Sequence, residues 1–269
     1  MFHFLIGILP SVGLGLVSGV LSGMFGIGGG VITTPGIRLL LGGSAMSAVA
    51  TPLVGIVPSS LTGAYNYLKK GVANWRIGIM LGGVGACFSA FGALAANHFG
   101  GKVVMVGTVV LILYAATDTI VSVVQSYKTH GESDVAAEVT NALPISKGAY
   151  LKAGGIGAFA GVYSGFFGLG GGFVIVPLLR RLLKMDYHEA IGTSLLSVAM
   201  LSIPGLITHS LLGNVDWMMG AGIVVGVIPG AALGAKITLG TSERATSIGF
   251  AILLIVTGIW LGSSVFLGI

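Results

Sequence analysis

Charge is what this sequence has least of. Asp, Glu, Lys and Arg together supply 8% of its 269 residues, where a soluble domain carries about 25%, so no ordinary water-facing surface can be made from it. Cysteine is nearly absent as well. Cys87 stands alone within an apolar run, which excludes an intrachain disulfide and a cysteine metal site. The apolar stretches hold no His/Cys/Asp cluster and no nucleophile beside a base, which argues against an enzyme, a bound metal or another cofactor. The net charge of +5 is gathered on no basic face, so nucleic acid is excluded as a partner and the surplus reads as a topology signal.

What the chain has in abundance is apolar sequence: 54% of it is hydrophobic and its mean hydropathy is +1.01. It is an all-α integral membrane protein with the lipid bilayer as its surroundings. Apolar runs recur at 4–22, 30–41, 46–68, 77–96, 103–124, 149–166, 172–183, 190–212, 217–239 and 246–267, most of them close to the ~20 residues that a membrane span needs. The runs 30–41 and 172–183 are short, reaching only about 18 Å as helix. The 47 glycines do not signal disorder, because the low hydrophobicity of disordered chains is missing. Patterns such as Gly78-x-x-x-Gly82, Gly222-x-x-x-Gly226 and Gly226-x-x-x-Gly230 fit close helix packing in lipid. The first apolar run resembles a secretory signal but has only His3 before it and no cationic n-region, so it is expected to stay in the mature protein.

One string occurs twice. Ser22-Gly23-Met24-Phe25-Gly26-Ile27-Gly28-Gly29-Gly30-Val31 returns as Ser164-Gly165-Phe166-Phe167-Gly168-Leu169-Gly170-Gly171-Gly172-Phe173. The offset of 142, from Gly23 to Gly165, also puts Pro35 on Pro177, Arg38 on Arg180, Thr51 on Thr193, Trp75 on Trp217 and Gly92 on Gly234. The chain is an internal duplication. Residues 1–124 form the first transmembrane repeat, 125–148 a polar linker and 149–269 the second repeat.

Each repeated string breaks a helix inside apolar sequence. If the break is a bend within the membrane, each repeat is a re-entrant helix hairpin followed by three spans, and the two repeats are inverted. Eleven cations, among them Lys69, Lys70, Arg76, Lys152, Arg180, Arg181, Lys184, Lys236 and Arg244, then share one face, against Arg38 and Lys102 on the other. An unbroken crossing at each string divides them almost evenly, so the positive-inside rule favours inversion, a cytoplasmic linker and both termini outside.

Such a break frees backbone N–H groups at the start of the following helix, where the macrodipole and the missing Cβ atoms favour an anion. Inverted repeats with broken helices are the usual construction of a secondary transporter's site. Gly26, Gly28, Gly29 and Gly30, with Gly168, Gly170, Gly171 and Gly172, are therefore candidate substrate-binding residues. The other role open to them is tight hairpin packing. Thr51, Thr193 and Ser194 are candidate hydroxyl donors, although membrane threonines also bond their own helix carbonyls. Asp186-x-x-Glu189 has capping-box spacing and marks a helix start. Asp118 is the clearest carboxylate within an apolar run, either a proton carrier or an interfacial group. His209, Arg38 and Arg180 have both functional and ordinary structural roles open to them, and Trp75 and Trp217 look like interface anchors. The strings match neither the P-loop nor the dinucleotide-binding pattern.

The doubled Gly-x-x-x-Gly-x-x-Gly-x-Gly-Gly-Gly signature of Gly19 to Gly30 and Gly161 to Gly172, followed by Pro35 and Pro177 and by Ala50-Thr51 and Gly192-Thr193, resembles the TauE/SafE sulfite exporter family over nearly the whole chain. The resemblance implies a bacterial or archaeal cytoplasmic-membrane carrier that exports sulfite, sulfoacetate or related organosulfonates and carboxylates, with the glycine strings and threonines lining its pathway. Pro52, where the second copy has Ser194, departs from a symmetric hydroxyl pair. The expected partners are a small anion and the bilayer, with a homodimer left open. A passive anion channel is the competing reading, since glycine-lined backbone also makes pores.

Overall fold

The computed structural model describes residues 2–129 and 147–267, with side chains described over 8–117 and 148–262. Most of the expected linker, and the side chain of Asp118, lie outside the described residues. Within them the protein is all helical: α1 (Phe2–Phe25), α2 (Gly30–Leu39), α3 (Ala45–Ala50), α4 (Pro52–Lys69), α5 (Trp75–Phe99), α6 (Gly101–Thr129), α7 (Lys147–Phe167), α8 (Gly172–Leu183), α9 (Tyr187–Leu211), α10 (Trp217–Leu239) and α11 (Glu243–Leu267). Six segments of the described residues are long and apolar enough to cross a membrane: Ile8–Phe25, Ala45–Lys69, Trp75–Phe99, Tyr187–Leu211, Trp217–Leu239 and Glu243–Gly262.

The helix boundaries have local causes. α1 stops because Gly26, Gly28 and Gly29 take φ values of +72°, +78° and +87°, and α7 stops at Gly168, Gly170 and Gly171 with +66°, +78° and +73°; L residues with a Cβ are disfavoured in that region. α5 and α10 start at matching caps, where Asn74 Oδ1 accepts from Ile77 N and Asp216 Oδ1 accepts from Met218 N and Met219 N. Trp75 and Trp217, the next residues, are 54% and 58% exposed. The apolar run 46–68 carries a joint that the sequence did not suggest: α3 ends at Ala50, and Pro52 opens α4. The capping box expected at α9 is not made. The helix does start where that spacing marks it, with Asp186 at the N-cap but without a side-chain bond, and the amide of Tyr187 donates to Glu243 Oε1 of α11 at 3.0 Å. Glu189 Oε1 turns to Asn74 Nδ2 at 3.5 Å.

The repeats pack mainly on each other, and the contacts are reciprocal. α1 lies along α10 through Gly15, Gly19 and Gly23, which face the backbones of Ile223, Val227 and Ala231; α7 lies along α5 through Gly157, Gly161 and Gly165, which face Leu81, Gly85 and Ser89. Gly234 meets Val20 O as Gly92 meets Val162 O. Every one of these pairs maps onto its counterpart by the repeat offset. Between them, α4 and α9 bury Leu53, Ile56, Leu195 and Val198. The outward surface is apolar as lipid requires, with Leu9, Phe91, Leu151, Phe159, Val225 and Ile259 each more than half exposed.

Two further sets of contacts position the site. After each break the short helix runs beside the one before it: Gly36 lies against the Leu14 side chain, and Lys152 Nζ donates to Leu182 O at 3.3 Å. The start of α4 also meets the start of α10, where Asp216 N donates to Thr51 Oγ1, while the start of α9 meets that of α5, where Asn74 N donates to Thr193 Oγ1, both at 3.0 Å.

Because these seams allow no Cβ, a side chain at Gly161 must push α7 off α5, whereas Gly155 has nothing within 4 Å. Gly161→Leu is expected to cost about 1–3 kcal/mol or more through overpacking, and Gly155→Leu to cost far less. Melting temperatures of the two purified variants in detergent check this.

Candidate functional site

The two glycine breaks meet. A Cβ on Gly30 would stand 2.7 Å from Leu169 Cα, and one on Gly172 would stand 2.7 Å from Ile27 Cα and nearer still to Gly26 O. Gly28 is flanked by Val198, Ile56 and Ser60, and Gly170 by the same Ile56 and Val198. The eight glycines singled out from the sequence are all buried, and Gly28 and Gly170 share the Ile56 and Val198 side chains of α4 and α9.

Backbone pairing stops and resumes in the same way in each break. Gly26 N still donates to Ser22 O, and Ile32 N and Thr33 N reach back to Gly29 O; likewise Gly168 N donates to Ser164 O, and Val174 N and Ile175 N to Gly171 O. Between these points no protein acceptor is found among the described residues for the amides of Gly28, Gly29, Gly30 and Val31, or of Gly170, Gly171, Gly172 and Phe173. These are the amides at and before the N-termini of α2 and α8, each carrying about half a positive charge of macrodipole. Negative charge is favoured electrostatically at each of these helix starts. Among the described residues no group of three or more His, Cys, Asp or Glu side chains suits a metal ion.

Hydroxyls surround this junction. Ser194 Oγ donates to Gly26 O at 3.0 Å, which ties the second repeat to the first break. Ser59 Oγ donates to Gly28 O at 3.2 Å and accepts from Ser22 Oγ at 3.4 Å. Ser60, Ser164 and Ser202 are fully buried, and among the described residues their hydroxyls have no partner. Ser60 Oγ would be 3.4 Å from a Cβ on Gly28, and Ser164 Cβ 3.6 Å from one on Gly171. The sequence reading did not single out these serines as contacts. Their signal was the register, since Ser22 falls on Ser164 and Ser60 on Ser202.

The threonines sit further out. Thr51 and Thr193 precede Ile56 and Val198 by five residues, about 7.5 Å of helix rise, and their oxygens accept the inter-repeat amide bonds from Asp216 and Asn74. Thr51 also shares a hydrogen bond with Ser47 Oγ at 3.1 Å. Arg38 Nη1 donates to Gly43 O at 3.1 Å, and the Arg180 guanidinium lies 4.9 Å over the Tyr187 ring. His209 is buried, with Nε2 3.0 Å from Gly165 O and Nδ1 3.3 Å from Asn214 Nδ2. Those partners fit a neutral ring that donates through Nε2. Tyr67, the matching residue of the first repeat, donates to Gly23 O at 3.1 Å, so the two repeats brace equivalent carbonyls with different side chains.

Comparison with known proteins gives a consistent picture. The model of the family described as "Sulfite exporter TauE/SafE" matches residues 11–261. The chain is 29% identical to the "Probable membrane transporter protein YdhB" of Bacillus subtilis, covering 82% of this chain and 86% of that protein. It is 25% identical to a "Probable membrane transporter protein" of Xylella fastidiosa over 94% of both chains, and 24% identical to one of Methanocaldococcus jannaschii over 97% of both. No solved structure matches the chain.

The inter-repeat bonds give a direct test of how the junction is held. Thr193→Val removes the acceptor of Asn74 N and is expected to destabilise by about 1–3 kcal/mol, with Thr193→Ser retaining most of the stability. Thermal unfolding of the two variants beside wild type measures the difference.

Proposed function

The chain belongs to the sulfite exporter TauE/SafE family of membrane transporters, and on that premise we propose that it is a secondary carrier exporting small anions such as sulfite, sulfoacetate or related organosulfonates and carboxylates. The observation that carries this reading is the meeting of two glycine breaks whose free amides belong to different repeats. Amides at Gly28 to Gly30 and Gly170 to Gly172 replace the hydration of the anion, and Gly26, Gly168, Thr51, Thr193 and Ser194 shape and fasten the junction around it. With the ligand held between repeats, rocking of one half against the other opens it first to one side and then to the other. An inside-negative potential favours outward movement of a doubly charged anion at about 2.3 kcal/mol per charge per 100 mV. Asp118 is proposed as the proton carrier if transport is proton-coupled.

We further propose that the repeats are inverted and that each break is the tip of a re-entrant hairpin, with the linker cytoplasmic and both termini outside. The hairpin is supported by the backward order of contacts, in which Gly29 neighbours Ser18 and Ser22 and Gly36 neighbours Leu14. Inversion is supported by the crossed threonine bonds. Asn74 follows the end of α4 yet meets the start of α9, and Asp216 follows the end of α9 yet meets the start of α4. The cations fit this scheme: Lys152 and Arg180 lie at the end that holds Asn74, Tyr187 and Glu243, which is then the cytoplasmic end.

Val at Gly29 or Gly171 needs a φ that a β-branched residue avoids. Gly29→Val and Gly171→Val are expected to abolish sulfoacetate counterflow in proteoliposomes while the protein still reaches the membrane; normal counterflow in both would refute the anion contact, and sustained single-channel current in wild type would replace the carrier by a pore. Topology is tested separately with Lys70→Cys and Leu212→Cys in a Cys87→Ala background. These two positions match by the repeat offset and both are exposed. Inversion requires an impermeant thiol reagent to label them from opposite sides of the membrane, whereas parallel repeats label from the same side.

A further inference from the structure

The two breaks share backbone geometry but not their surroundings. Around the first, Ser22 and Ser59 are joined, and Ser59 closes on Gly28 O. The residue in the place of Ser59 in the second repeat is Leu201, which has no hydroxyl, and Ser164, the counterpart of Ser22, is left fully buried without a partner. Ser202 is in the same condition. So is Ser89 of α5, whose hydroxyl would stand 2.7 Å from a Cβ on Gly205 of α9 and whose position is taken by Ala231 beside α1. By the repeat offset Ser202 stands to the second break as Ser60 does to the first, so among the described residues the breaks differ in Ser164 and Ser89 at the second, and in Thr34 of α2, whose place in α8 is taken by Val176.

A buried hydroxyl left unpaired is costly, and natural interiors keep few of them. The asymmetry therefore needs something to complete it. An oxyanion does so, because it accepts at several points and a hydroxyl beside free amides can donate to it. Leu201 keeps Ser164 free for that use.

We propose that the anion, held by the amides of both breaks, takes its side-chain hydrogen bonds from the second, through Ser164 and Ser202, while at the first Ser22 is bonded to Ser59. This rests on the reading of the breaks as the anion site. It makes the substrate site lopsided within a symmetric frame, and it assigns contacts to two serines.

Full-length purified protein tests it by thermal-shift titration with sulfoacetate and with sulfite. Ser164→Ala and Ser202→Ala are expected to weaken binding about tenfold, the scale of one hydrogen bond to a charged group, without lowering the melting temperature of the unliganded protein, since no protein bond is lost. Ser22→Ala is expected to lower that melting temperature and to leave affinity within about twofold. Leu201→Ser, which gives Ser164 a protein partner, is expected to weaken binding. Equal losses in Ser22→Ala and Ser164→Ala, or unchanged affinity in Ser164→Ala, overturn the lopsided site alone. A wild type that is stabilised by neither probe overturns the anion reading itself.

Discussion

Peptide N–H groups inside an apolar interior must find acceptors, and among the described residues two sets of them at the glycine breaks have no protein partner. In lipid each such group costs several kcal/mol, so the rest of the structure can be understood as the means of keeping those amides away from the hydrocarbon. Ile56 and Val198 close the junction from α4 and α9. α1 and α7, which deliver the chain to the breaks, are pinned against α10 and α5 by seams too tight for any side chain. Because both breaks are buried in protein, irregular backbone is tolerated within so apolar a chain.

Duplication supplies the frame, and divergence supplies the differences inside it. Glycine seams, threonine bonds and helix caps all recur at the repeat offset, which is the pattern of a self-complementary interface built within one chain. Small faces let helix backbones approach, so that dispersion contacts and packing replace the hydrophobic effect as the source of cohesion. Side chains that touch the junction have drifted further. Tyr67 is matched by His209, Ser59 by Leu201 and Ser89 by Ala231, and each exchange changes hydrogen bonding without disturbing the backbone around it.

The features legible in the sequence were those that only one residue type can serve. Three left-handed positions in each break demand glycine, and so do the seams at Gly19 and Gly161; a doubled pattern of this kind can be seen without knowing the fold. Partners across the repeats were not legible. Nothing local shows that Thr193 receives an amide from Asn74, because that bond depends on which copy faces which. Asp186 and Glu189 mark the start of α9, yet Glu189 accepts from Asn74 of another helix's cap and Glu243 of α11 takes the amide of Tyr187, tertiary contacts that the local spacing does not show. Ser60, Ser164 and Ser202 look like ordinary small residues of membrane helices until burial and the lack of partners set them apart.

The glycine seam between α1 and α10 also orders events during synthesis. α1 ends at Phe25 and its partner begins at Trp217, so at roughly 5–20 residues per second the ribosome needs on the order of 10–40 seconds to make the helix that covers those glycines. For that interval the nascent first helix sits in the bilayer beside lipid or an insertase, with its grooved face unfilled. α7 is spared the wait, because α5 precedes it. The second half thus finds its support already made, and the first can be completed only once α10 has been synthesised.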